Sequence, residues 1–219
     1  MNKTEILKRI LGKGIVPVVR APTAKDALQV VDAIRAGGID IIELTMTVPG
    51  APQVIEELVR RYGDEVIVGA GTVLDRDTAR TCIRAGAAFI VSPALDEPTI
   101  EFCRGEGVPV MPGALTPTEV LRAWRTGADV VKVFPCGAVG GPSYIRALKA
   151  PLPDIDLMPT GGVSLKTAAE FIHAGACALG AGADLVDLGL LREGRIDAIT
   201  ERARNYIAAI KGARESAPR

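Results

Sequence analysis

The chain has 219 residues, and its 26 basic and 26 acidic side chains cancel; no basic block interleaves with aromatics, which disfavours nucleic acid as a partner. No apolar run approaches the ~20 residues of a membrane helix, and the charged opening 1–14 has no signal-peptide core, so no membrane partner is expected. Four scattered cysteines (Cys82, Cys103, Cys136 and Cys177) without a CxxC pair fit reduced, mostly buried thiols of a cytoplasmic protein, and a single histidine, His173, leaves little material for a metal site.

A helix is predicted first, over about 3–12, apolar at Ile6, Leu7, Ile10 and Leu11. Gly14 then opens a strand that ends on Arg20. Thr23 is placed to N-cap a helix ending at Ala36, which Gly37 and Gly38 close, and 39–45 forms the next strand with Glu43 in it. The order helix, glycine, short apolar strand now repeats. Gly63 precedes a strand at 66–72, Gly86 one at 88–93, Gly107 one at 108–113 and Gly127 one at 130–135. A helix over about 144–150 precedes the strand at 155–162, and Gly175 precedes the last strand, 177–182. An amphipathic helix over about 194–212 ends at Gly212, with a frayed tail to Arg219.

Strands apolar on both faces and joined by helices form a parallel sheet with right-handed crossovers. Eight such units in one uninterrupted chain predict an α/β fold, a single-domain (β/α)8 TIM barrel over about 14–192, with an extra N-terminal helix; no linker or change of composition divides 1–219. Active sites of such barrels lie at the carboxyl ends of the strands. Those ends offer Arg20, Glu43 with Thr45, Thr72, Ser92 with Pro93, Gly113, Lys132 with Phe134, and Thr160.

Lys132 is the residue that needs explaining. Side chains on a strand alternate faces, so Val131 and Val133 point one way while Val130, Lys132 and Phe134 point the other, into the barrel. The same alternation turns Glu43 inward between Ile42 and Leu44. Two buried ionisable groups are costly unless they face each other or a substrate. Burial disfavours the charged form of an amine, and a neutral amine attacks a ketone to give an imine that acts as an electron sink. Glu43 is then the group available to shuttle protons. His173 belongs on a helix far from the mouth, in a capping or solvated role. Arg20 suits a carboxylate, which its planar fork matches. The glycine turns after the last two strands, at Gly161 and Gly162 and at Gly180 to Ala183, occupy the usual phosphate position of barrels.

The segments 42–45 (Ile-Glu-Leu-Thr), 68–72 (Val-Gly-Ala-Gly-Thr), 90–93 (Ile-Val-Ser-Pro), 131–135 (Val-Lys-Val-Phe-Pro) and 159–162 (Pro-Thr-Gly-Gly) together resemble the class I aldolases that cleave 2-keto-3-deoxy-6-phosphogluconate, its galactonate epimer or 4-hydroxy-2-oxoglutarate. The similarity covers almost the whole chain. It implies pyruvate plus an aldehyde (glyceraldehyde 3-phosphate or glyoxylate) as products, a small keto acid as partner, no cofactor beyond a covalent lysine imine, and a homotrimer. By the same resemblance Lys132 forms the Schiff base and Glu43 is the acid/base. Arg20 and Thr72 hold the pyruvate carboxylate; Gly161, Gly162, Gly182 and Ala183 face the phosphate; Thr45, Pro93, Phe134 and Thr160 line the pocket.

The sequence departs from the family pattern twice. Thr47 stands where some members carry arginine, and Arg20 on the first strand replaces that charge. Ala183 stands where many members have a phosphate-binding serine, and the adjacent Asp184 carboxylate would repel a phosphate, so an unphosphorylated or short keto acid stays open. A phosphate-binding barrel isomerase or epimerase and a catalytically silent oligomeric barrel are the rival readings.

Overall fold

The computed structural model describes residues 1–216; the last three residues of the tail expected to fray, 217–219, lie outside them. The elements in order are α1 (Lys3–Lys13), β1 (Ile15–Val19), α2 (Ala24–Ala36), β2 (Ile41–Thr45), α3 (Ala51–Tyr62), β3 (Ile67–Gly71), α4 (Arg76–Arg84), β4 (Ile90–Val91) and α5 (Glu97–Gly105). Then come β5 (Val110–Met111), β6 (Gly113–Ala114), α6 (Pro117–Thr126), β7 (Val131–Val133), α7 (Pro142–Lys149), β8 (Leu157–Pro159), α8 (Ala168–His173), β9 (Leu179–Ala181), α9 (Leu188–Arg192) and α10 (Ile196–Ser216).

The strands pair in parallel in the orders β5-β4-β3-β2-β1-β9 and β6-β7-β8. A bridge between Thr160 and Gly180 joins the two groups on one side. On the other, β5 and β6 are two halves of the fifth barrel strand, which the sequence predicts as continuous. Pro112 has no N–H to give a ladder and breaks it. Val110 and Met111 pair with β4, Gly113 and Ala114 pair with β7, and the Pro112 carbonyl still accepts from Lys132 N–H at 2.9 Å. The result is a single-domain (β/α)8-type barrel of eight strand positions.

Alternation along the strands separates two apolar layers. Ile42, Leu44, Val131 and Val133 pack outward beneath the helices. Val16, Ile41, Ile67, Phe89, Met111, Val130, Met158 and Ala178 point inward, one from each barrel strand. Ile6 and Ile10 of α1, one turn apart on one face, complete that inner cluster and close the barrel's foot. Burial of each isoleucine contributes about 1.5–3 kcal/mol. An Asn2–Glu5 capping box starts α1, and Gly14, in the left-handed region at φ 73°, ends it.

The last helix departs from expectation. α10 runs through Gly212 to Ser216 because its final turn is held by tertiary contacts. Ala213 is buried, and Arg214 donates to Leu11 O and Gly12 O at 2.7 Å and to Cys177 O at 3.0 Å. Those contacts outweigh the roughly 1 kcal/mol a glycine costs inside a helix. Among the described residues no helix is long and apolar enough to cross a membrane. The four cysteines are free, and burial pushes the Cys136 thiol up to about 11.

Candidate active site

Counting by twos from the inner apolar ring towards the carboxyl ends, the next inward positions are Val18 on β1, Glu43 on β2, Gly69 on β3, Lys132 on β7, Thr160 after β8 and Gly180 on β9. The ladder register sets Val18 beside Glu43 and Glu43 beside Gly69. The three polar side chains of this layer, Glu43, Lys132 and Thr160, thus sit above an apolar floor, among Val18, Val91 and three glycines.

Lys132 Nζ stands 3.6 Å from Glu43 Oε1, with side-chain exposures of 6% and 0%. That is ion-pair distance but longer than a hydrogen bond, and among the described residues both carboxylate oxygens of Glu43 lack a hydrogen-bond partner. The Thr160 hydroxyl is buried and unpartnered too; Gly180 makes room for it, since a Cβ there would fall 2.1 Å from Thr160 Oγ1. Buried polar atoms are nearly always satisfied, so these unmet acceptors and this hydroxyl mark a place shaped for a ligand. Lys132 Nζ also lies 5.5 Å from the centroid of the Phe134 ring, which faces the adjoining cavity.

That cavity holds 380 Å³ and opens over β1, β8 and β9. Val18, Phe134, Val163, Val186 and Leu188 give it an apolar wall, Arg20 supplies a guanidinium, and Thr160, Gly161, Gly162, Gly182, Ala183 and Asp184 form its polar side. Gly161 and Gly162 take left-handed conformations, φ 85° and 77°. The turn packs backbone to backbone: Gly137 N–H donates to Gly161 O at 2.9 Å, and a Cβ on Gly162 would come within 2.7 Å of Gly137 Cα. A larger groove of 540 Å³ lies at the foot between α1 and α10, but its Lys13 is paired with Asp40 and its Arg214 with carbonyls, and it contains none of the expected site residues.

Of the residues singled out from sequence, eight line this cavity: Arg20, Phe134, Thr160, Gly161, Gly162, Gly182, Ala183 and Asp184. Lys132 and Glu43 sit together behind it. Three others take places at the strand ends outside its lining. Thr45 donates its hydroxyl to Val19 O at 3.1 Å, tying β2 to the residue before Arg20. Thr72 follows Gly71 at φ 59°, a rare conformation for a β-branched residue. The Pro93 carbonyl abuts Gly113, where a Cβ would fall 2.2 Å away. His173 lies against α10, its Nε2 3.0 Å from Ala213 O, remote from the mouth as the sequence predicts.

Sequence reasoning passed over Val18, Val163, Val186 and Leu188; for Val18, alternation along β1 was a usable signal. It did not foresee the partners of Asp184, which lines the cavity as expected. That carboxylate does not simply face an anion: its Oδ2 accepts from the Tyr206 hydroxyl at 2.6 Å and from Leu165 N–H at 3.3 Å. Burial, reinforced by Asp184, pushes the Tyr206 hydroxyl far above the ordinary phenol range, so it stays a donor.

The family model described as "Aldolase: KDPG and KHG aldolase" matches residues 6–202. The chain is 36% identical over 203 residues to the 2-dehydro-3-deoxy-6-phosphogalactonate aldolase of Escherichia coli K12, covering 92% of this chain and 95% of that one. It is 36% identical over 168 residues to the 2-dehydro-3-deoxy-phosphogluconate aldolase of Treponema pallidum, covering 77% and 78%. Among solved structures it resembles the KDPG aldolase of Legionella pneumophila, in which pyruvate was captured as a covalent carbinolamine, with a TM-score of 0.83 and 27% identity over 90% of this chain and 95% of that one.

Proposed function

The chain belongs to the KDPG and KHG aldolase family, a family of lyases, and from that premise we propose that it cleaves a 2-keto-3-deoxy-6-phospho sugar acid to pyruvate and glyceraldehyde 3-phosphate through an imine on Lys132. The observation that carries this reading is the Lys132–Glu43 pair, buried 3.6 Å apart with neither carboxylate oxygen hydrogen-bonded, beside a cavity that holds a guanidinium and two glycine turns. A barrel isomerase needs no buried lysine, and a silent barrel would keep the pair only as a structural salt bridge.

Lys132 gives up a proton to water, the neutral amine attacks C2 of the keto acid, and the carbinolamine hydroxyl takes a proton back from water as it leaves, giving a protonated imine. Glu43 accepts the proton of the C4 hydroxyl. The C3–C4 bond breaks, its electron pair flows into the imine to leave an enamine, and the aldehyde departs. Protonated Glu43 returns its proton to C3, and water hydrolyses the pyruvate imine to free Lys132. Arg20, assisted by Thr72, binds the substrate carboxylate, while Gly161, Gly162, Gly182 and Ala183 offer the phosphate their backbone. Thr45, Pro93, Phe134 and Thr160 shape the pocket. The imine is formed by the protein itself, so no cofactor enters the scheme. A cytoplasmic homotrimer is the expected setting, to be checked by sedimentation.

The missing hydroxyl at Ala183 favours a second substrate, 4-hydroxy-2-oxoglutarate, which would use the same Lys132 and Glu43 and release glyoxylate. A substrate panel separates the two. The imine itself is tested by intact-mass spectrometry after incubation with pyruvate and borohydride, followed by peptide mapping. A reduced pyruvyl adduct on Lys132 is expected; an unmodified chain overturns the proposal.

A further inference from the structure

A carboxylate one residue beyond Ala183 should weaken any anion held by the neighbouring glycine turns. Its bonding in this fold gives it a different task. Asp184 Oδ2 accepts from Tyr206 Oη at 2.6 Å and from Leu165 N–H at 3.3 Å. The Asp184 carbonyl accepts from Arg202 Nη1 at 2.7 Å, and the same nitrogen reaches Asp187 Oδ2 at 3.0 Å. These bonds join three segments far apart in sequence. Leu165 follows the Gly161–Gly162 turn, Asp184 follows Gly182 and Ala183, and Arg202 and Tyr206 lie one helical turn apart on α10.

The second glycine turn needs such an anchor. It is tight, with the Gly182 carbonyl accepting from Leu185 and Val186 N–H at 3.0 and 2.8 Å. On the cavity side it is open, since a Cβ on Gly182 would meet nothing within 4 Å, while Leu185 and Val186 pack into the core behind it. Tyr206 is wholly buried, so the hydrogen bond it gives to Asp184 is fixed by packing on every side.

We propose that Asp184 is a positioning residue that locks the two glycine turns into one rim of the cavity, with Tyr206 and Arg202 of α10 as its anchors, and that this rim sets affinity for the phosphate end of the substrate. The proposal rests on the aldolase reading above. Asp184 thus serves anion binding as an acceptor of internal hydrogen bonds. The carboxylate oxygen that would oppose a phosphate is turned towards the α10 side, where the Tyr206 hydroxyl and the Leu165 N–H hydrogen-bond it.

The test uses the full-length chain as wild type, Tyr206→Phe, Asp184→Asn and Asp184→Leu. Three quantities are read: KM for the phosphorylated keto acid, the inhibition constant Ki of inorganic phosphate as a competitor, and the rate of borohydride trapping with pyruvate. Tyr206→Phe and Asp184→Leu are expected to raise the first two about tenfold, the scale of one lost charged hydrogen bond, with pyruvate trapping unchanged. Asp184→Asn keeps an acceptor oxygen for Tyr206 and Leu165 and is expected to stay near wild type, which also serves if the other variants fold poorly. Tighter phosphate binding in Asp184→Asn would make the carboxylate a repelling charge and overturn the proposal. Parallel loss of trapping and phosphate affinity in Tyr206→Phe would make the effect global and overturn it as well. Wild type that traps pyruvate but ignores phosphate sinks the rim alone; wild type that traps no pyruvate sinks the aldolase reading beneath it.

Discussion

Gly71 and Glu43 are fitted to each other across the β2–β3 pair: a Cβ on residue 71 would stand 2.0 Å from Glu43 Oε1 and 2.5 Å from its Cγ. The register pairs Glu43 with Gly69, so its side chain leans along the strand and occupies the space that residue 71 leaves empty. Gly71→Ala is expected to push the carboxylate out of reach of Lys132. General acid–base catalysis contributes about 10²–10⁴-fold, so turnover should fall at least about a hundredfold. Pyruvate trapping on Lys132 should persist in the same variant. Unaltered turnover would remove Glu43 from the mechanism.

Lys132→Met should abolish the adduct and unsettle the fold. It leaves Glu43, with no exposed surface, charged and without a partner, at a cost of about 3–5 kcal/mol. Glu43→Gln in the Lys132→Met background should regain much of that loss. Urea unfolding of both single variants and the double variant at pH 7 supplies the comparison; a Lys132→Met protein as stable as wild type would contradict the pairing.

Thr160→Val separates stability from function. The hydroxyl is buried without a partner, so valine should raise stability by about 1 kcal/mol, read as a higher melting temperature. The same variant should bind the keto acid less well. A rise in melting temperature with KM unmoved would assign the hydroxyl no ligand.

Asp40 carries a pH signature at the foot of the barrel. Burial alone would raise its carboxyl, but the Arg9 hydrogen bond and the Lys13 ammonium 3.0 Å away hold it below its ordinary 3.8. A lowered native pKa gives stability that is fully present above the unfolded value and is lost as pH falls through the native one. The gap between wild type and Asp40→Asn should therefore be constant from pH 7 to about pH 5 and close below about pH 4. A gap that widens in acid would reverse the sign of the interaction.

The barrel and its chemistry were legible because both depend on period two. Alternation alone sends Glu43 and Lys132 inward while Ile42, Leu44, Val131 and Val133 pack beneath the helices. Features decided by partners distant in sequence were not legible. Gly212 reads as a stop until Arg214 is found holding Leu11 and Gly12 some two hundred residues back. Asp184 reads as a misplaced charge until Tyr206 is found beneath it. Pro112 was visible as a breaker, but that its two flanks pair with different neighbours follows only from closure of the sheet.

The position of α1 governs traffic. With Ile6 and Ile10 seated among the inner side chains, the barrel is a vessel with one opening, and whatever reaches Lys132 must arrive and leave past the same lip. On the mechanism proposed above, release then has a fixed order: the aldehyde, bound to nothing after cleavage, leaves first, and pyruvate, still joined to the lysine, leaves second. In the synthetic direction the same mechanism has pyruvate loading first, because the enamine it forms on the lysine is the group that adds to the aldehyde.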